Sequence, residues 1–127
     1  VGEANHAQPL MSQEQLQTIE WMAESTEADA FVVATVYDAP WVLGWSERKV
    51  VAPGLFQWNQ HNREEWSEFL MTDDPDVARQ FLDAYQDPIY VYYSRNPGNI
   101  LTLDKFENEY FERVCDGEAV VYKYMPQ

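Results

Sequence analysis

The chain has 127 residues, 22 acidic against 8 basic, for a formal net charge of -14. That length suits one domain large enough to bury a core without metal or disulfide support, and a single cysteine, Cys115, excludes an internal disulfide. The charge argues against nucleic acid and against direct adhesion to anionic lipid, because both need clustered Lys and Arg. No apolar run reaches the ~18 residues that a membrane helix needs.

Taken in chain order, residues 1–11 read as a polar linker or frayed end, and residues 12–125 as a single domain. Ser12 with Gln15 forms a capping-box pattern, and Leu16, Ile19, Met22 and Ala23 share one face of the helix that follows, to about Ser25. Phe31 to Tyr37 is nearly continuous and β-branched, the pattern of a central strand covered on both faces. Asp38-Ala39-Pro40 stops it. Trp41 to Glu47 predicts one or two helical turns, and Lys49-Val50-Val51 a short strand closed by Pro53-Gly54.

Leu55 to Gln60 reads as an aromatic loop. Asn62 with Glu65 is a second capping box, with Trp66, Phe69 and Leu70 at helical spacing behind it. Asp74-Pro75 opens a further helix whose apolar face is Val77, Phe81, Leu82 and Tyr85. Ile89 to Tyr93 is a strand, with Tyr90 and Tyr92 on one face and Tyr93 on the other. After the loop Arg95 to Asn99, a short helix is expected from about Thr102. Phe111–Cys115 and Glu118–Tyr124 flank Asp116-Gly117, a hairpin signal. The predicted class is α/β: a mixed, mostly parallel sheet with flanking helices and a C-terminal antiparallel hairpin.

Few groups point to chemistry. Asp73-Asp74-Pro75-Asp76 offers oxygen ligands for a divalent cation, but carboxylates at a helix start complement its dipole, and capping is the stronger reading. His61, Glu64 and Glu65 are available as bases, without a spacing that pairs them. A small enzyme built on Asp74, Asp76 or His61 is therefore a third-rank expectation. No Gly-rich phosphate loop, nucleophile triad or metal-ligand spacing is present in the sequence, so no cofactor is implied. The richest cluster is Asp38, Trp41, Trp45, Arg48 and Trp58, which follows the C-terminal end of the first strand, where open α/β sheets take ligands. Tryptophan faces stack on sugars, and Asp and Arg bind hydroxyls. Against this, Trp41 and Trp45 are four apart and also suit plain packing of a short helix on the sheet.

A family pattern runs through these elements. The stretch Leu16 to Val33, a helix carrying Trp21 and a turn at Thr26-Glu27 leading into an apolar strand, resembles the segment after the last membrane helix of polytopic GT-C glycosyltransferases. Those include the dolichyl-phosphate-mannose–protein mannosyltransferase-like group, where Thr-Pro is common at that turn. Trp41 to Val51, with Arg48 before a short strand, Asp87-Pro88-Ile89-Tyr90-Val91-Tyr92, and the closing hairpin Phe111–Gly117 with Val120–Tyr124 are similar to further parts of that pattern. The resemblance implies an extracytoplasmic C-terminal domain of a larger membrane protein that uses a lipid-linked sugar donor. Its partner is the membrane-spanning portion of the parent chain, with a glycan or acceptor as a further contact. The family's catalytic acids lie among the membrane helices, so no catalytic residue carries over. The reading is thus an accessory domain, not an enzyme by itself. The runner-up is a free-standing carbohydrate- or small-ligand-binding module.

Overall fold

The computed structural model describes residues 12–53, 60–86, 88–96 and 99–125. Helix α1, Gln13–Ser25, starts where the capping box requires: Ser12 Oγ accepts from the Gln15 amide at 3.1 Å, and Gln15 Oε1 accepts from the Ser12 amide at 2.9 Å. Strand β1, Phe31–Val33, is shorter than its β-branched run suggested. Thr35 ends it by folding the chain into a turn, its carbonyl accepting from the amides of Asp38 and Ala39. Helix α2, Ala39–Ser46, takes Pro40 in its first turn, where the missing N–H leaves no gap in the helix. Strand β2, Lys49–Val51, follows.

Helix α3, Arg63–Met71, repeats the reciprocal cap with Asn62 and Glu65. Helix α4, Pro75–Leu82, is capped by Asp74, whose carboxylate accepts from the Asp76 amide at 2.9 Å. Strand β3, Ile89–Ser94, leads to a loop in which the expected short helix is one 3-10 turn, Asp104–Phe106. Strands β4, Phe111–Asp116, and β5, Ala119–Tyr124, form the hairpin, its tip one residue further on than expected, at Gly117-Glu118. Gly117 lets Glu14 approach the tip: a Cβ would lie 2.3 Å from Glu14 Oε2, which accepts from the Glu118 amide and ties the tip to α1, so a larger residue would displace that carboxylate.

The five strands form one sheet in the order β2-β1-β3-β5-β4, with β1 parallel to β2 and β3, and β5 antiparallel to β3 and β4. Four of the five strands therefore run in one direction, which matches the mixed, mostly parallel α/β class read from the sequence. The last strand enters the middle of the sheet because Ala119-Val120-Val121-Tyr122 can be buried on both faces, whereas β4 carries exposed Glu112 and Arg113 and an irregular register near Val114 that suit an edge. One face of the sheet packs on α3, α4 and the 3-10 turn, and the other on α1 and α2. As the alternation predicted, Tyr90 and Tyr92 sit with the α1 side and Tyr93 with the other. Among the described residues no helix is long and apolar enough to cross a membrane.

Candidate functional site

The turn that ends β1 and the loop that leaves β3 meet at the C-terminal end of the parallel strands, and one carboxylate joins them. Asp38 is fully buried. Its Oδ2 accepts from the Ser94 amide at 3.0 Å and from Asn99 Nδ2 at 2.9 Å, and its Oδ1 accepts from the Ser94 hydroxyl. Asn99 Oδ1 in turn accepts from the Thr35 hydroxyl at 2.6 Å, and Asn99 Nδ2 also reaches the Ser94 carbonyl. Asn96 extends the network from Ser94 Oγ to Gln15 on α1. Removal from water raises the Asp38 pKa above its ordinary value, and hydrogen bonds from Ser94, Asn99 and Thr35 oppose that rise. A buried carboxylate with this set of donors holds two loops at a fixed separation.

Above the clamp lies a cavity of about 200 Å³ lined by Thr35, Val36, Tyr37, Pro53, Leu70, Asn99 and Ile100. Its rim is apolar: Val36 and Ile100 are 68% and 60% exposed. The cavity is small and open at the place where α/β sheets present ligands, and its floor is fixed by Asp38 through Asn99.

The five residues expected at a ligand site are placed differently from one another. Asp38 belongs to the internal clamp. Arg48 turns inward to the end of α1, its guanidinium donating to the carbonyls of Ala23 at 2.7 Å and Thr26 at 3.0 Å and to the Thr26 hydroxyl at 3.0 Å. It thereby satisfies carbonyls that the helix leaves open. Trp41 is half-buried against the α1 side of the core, while Trp45 is exposed. Trp58, with most of the aromatic loop, lies outside the described residues. Of the residues weighed as acids and bases, Asp74 caps α4, and His61 Nε2 donates to the Phe81 carbonyl at 2.8 Å with its ring stacked on Phe81. Thr35, Ser94 and Asn99 were not singled out from the sequence. For Ser94 and Asn99 the local sign is polar residues around Pro97-Gly98, and their partner Asp38 lies 56 and 61 residues away, whereas Thr35 lies three residues before Asp38 and its hydroxyl accepts from the Asp38 amide.

A second polar site lies under α3. Lys105 is fully buried, with Nζ within hydrogen-bond distance of the carbonyls of Leu70, Thr72 and Thr102 and of the Thr102 hydroxyl. Burial pushes its ammonium down to about 8, while the charge of Asp73 pulls the other way.

No protein-family model and no curated protein matches this sequence. Among solved structures the chain is similar to the C-terminal globular domain of an oligosaccharyltransferase from Archaeoglobus fulgidus, with 14% identity and a TM-score of 0.64 over 91% of this chain and 99% of that one. The resemblance drawn from the sequence, to the C-terminal soluble domain of a glycosyltransferase, is thus borne out in the fold.

Proposed function

We propose that this chain is a non-catalytic accessory domain of a membrane-embedded glycosyltransferase with a lipid-linked sugar donor, and that it helps to position acceptor or glycan. The observation that carries this reading is the shared fold with an oligosaccharyltransferase C-terminal domain along almost the whole of both chains. The geometry adds a place for contact: the cavity at the C-terminal end of the parallel strands, with Asp38 and Asn99 fixing its floor. Asp38 and Arg48 then serve by positioning, one for the loops and one for the junction of α1 with β2. In this reading the domain sits on the extracytoplasmic face beside the parent's membrane-spanning portion.

The test has two parts. Reading the gene upstream of Val1 is expected to reveal several apolar spans of membrane length, and their absence rejects the proposal. In the full-length protein, Ile100→Asp at the cavity rim is expected to raise KM for the acceptor about tenfold with kcat little changed, the signature of lost binding shared by ground and transition states. An unaltered acceptor KM removes the cavity from the proposal, and sugar transfer by the isolated chain removes the accessory role.

A further inference from the structure

Helix α2 is apolar along almost its whole length, yet only Ala39, Val42 and Ser46 are buried. Leu43 and Trp45 are 51% and 47% exposed, and Gly44 between them is open, with nothing within 4 Å of a Cβ placed there. Leaving a large aromatic ring half in water forgoes burial that the fold supplies to nearly every other aromatic residue described. Beside this face runs a groove of about 380 Å³ between α1 and α2, lined by Glu20, Ala23 and Glu24 of the first helix and Gly44, Trp45 and Glu47 of the second and its end.

We propose that this groove is a docking site for a basic protein segment, seating an arginine side chain on Trp45. The argument is charge complementarity. Glu20 and Glu24 are one turn apart on α1, an arrangement of like charges that repel without a counter-ion. Among the described ion pairs none involves Glu20, Glu24 or Glu47. The adjacent cation, Arg48, is committed to the carbonyls of Ala23 and Thr26. A guanidinium meets both demands, because its flat face stacks on an indole and its edge takes carboxylates in pairs. Other occupants fit less well. A second copy of this chain also carries -14 and is repelled. A neutral glycan covers the carboxylates without a counter-charge, which leaves their desolvation uncompensated.

The experiment is an NMR titration of the 15N-labelled chain with tetra-arginine amide, at about 0.15 M salt, where diffuse surface attraction is screened beyond about 8 Å. The expected result is a shift of the Trp45 indole N–H together with amides of residues 20–24 and 44–47. Glu20→Gln with Glu24→Gln is expected to weaken binding about tenfold. Glu64→Gln with Glu68→Gln, which removes the same charge from α3, should change it less than twofold. Glu47 holds a left-handed backbone, φ 58°, that glycine adopts more readily. Glu47→Gly is therefore expected to raise the melting temperature while lowering affinity several-fold, a split that a purely structural role does not produce. Equal losses from the two double variants would mean general attraction to an acidic surface and would overturn the proposal. So would a Trp45 indole shift caused by mannobiose and not by the peptide, or a Trp45-dependent dimer in sedimentation.

Discussion

The two faces of the sheet are held by different means. On the α3–α4 face, aromatic rings fill the space: Phe69 and Phe81 stack at 4.1 Å between centroids, Trp66 meets Phe81 edge-on at 4.7 Å, and Phe106 meets Phe111 edge-on at 4.9 Å. On the α1–α2 face the buried side chains are mostly small, among them Ala30, Val32, Ala34, Ala39, Val42, Val50 and Ala52, and polar ties cross between elements. Gln15 reaches the hairpin, Asp38 reaches β3 and its loop, and Arg48 reaches α1. One face thus rests chiefly on packed aromatic area, with polar ties at its margin such as Tyr124 Oη to Asp83 and Thr102 Oγ1 to the Thr72 carbonyl. The other draws its stability from directional bonds, which set loop positions closely. The α1–α2 groove borders the stitched face, and the candidate cavity lies at the sheet end between the Asp38 clamp and Leu70 of α3.

The largest expected effect breaks the aromatic face. Phe69 is buried against Phe81, Trp66 and Phe106. Phe69→Ala should cost about 3–5 kcal/mol in urea unfolding, from lost transfer energy and the cavity left behind. Ile19→Val on the opposite face should cost only about 1 kcal/mol. A cost for Phe69→Ala below about 2 kcal/mol would mean that ring packing is not what holds this face.

Next comes the clamp. Asp38→Ala strips the Ser94 amide and the Asn99 side-chain amide of a buried acceptor, an expected loss of roughly 3 kcal/mol, with faster hydrogen exchange at the Ser94 amide as the local sign. Asp38→Asn keeps the shape and allows a pH test. Because burial raises the native pKa of Asp38 above its unfolded value, the native state holds the proton more tightly. The wild-type advantage over Asp38→Asn should therefore be fullest below about pH 3.8 and decline as pH rises through the native pKa. Glu27, Glu107 and Asp116 have lowered native pKa values and act in the opposite sense, but they are common to both proteins and cancel in the difference.

These two tests also mark what could be read from sequence. The helix starts at Ser12, Asn62 and Asp74 were legible because a cap is satisfied within three residues. The closing hairpin was legible because its turn and its strands are adjacent. The β1 end was misjudged: Phe31 to Tyr37 has strand composition throughout, but Thr35 spends its carbonyl on the α2 entry, and the tertiary use overrides the propensity. The placement of β5 between β3 and β4, and the meeting of Asp38 with Ser94 and Asn99, depend on contacts between distant segments that leave no local periodicity. The cluster of Asp38 with Trp41, Trp45 and Arg48 was found as a neighbourhood, but sequence could not show that Asp38 and Arg48 point inward while Trp45 faces out.

The smallest effect sharpens the comparison at its exception, Lys105, the one buried charge on the aromatic side among the described residues. Lys105 Nζ lies 5.3 Å from the Phe69 ring centre and 5.2 Å from that of Phe106, and reaches the carbonyls that end α3. With a native pKa lowered to about 8 from 10.5, its charged form is penalised by folding. Below pH 8 both states hold the proton and the penalty is constant. Between pH 8 and 10.5 the native state releases it first, so the unfolded state binds more protons and stability rises with pH. Lys105→Met lacks this term, while the opposing ionisations of Cys115 and the tyrosines are shared by both proteins. Paired urea midpoints at pH 7 and pH 10 should therefore show the wild type gaining about 2 kcal/mol on Lys105→Met, at roughly 1.4 kcal/mol per pKa unit less the part that its oxygen partners offset. A constant difference across that window would mean that the four oxygens solvate the ammonium as well as water does. The aromatic face would then contain a polar tie as effective as any on the α1–α2 side.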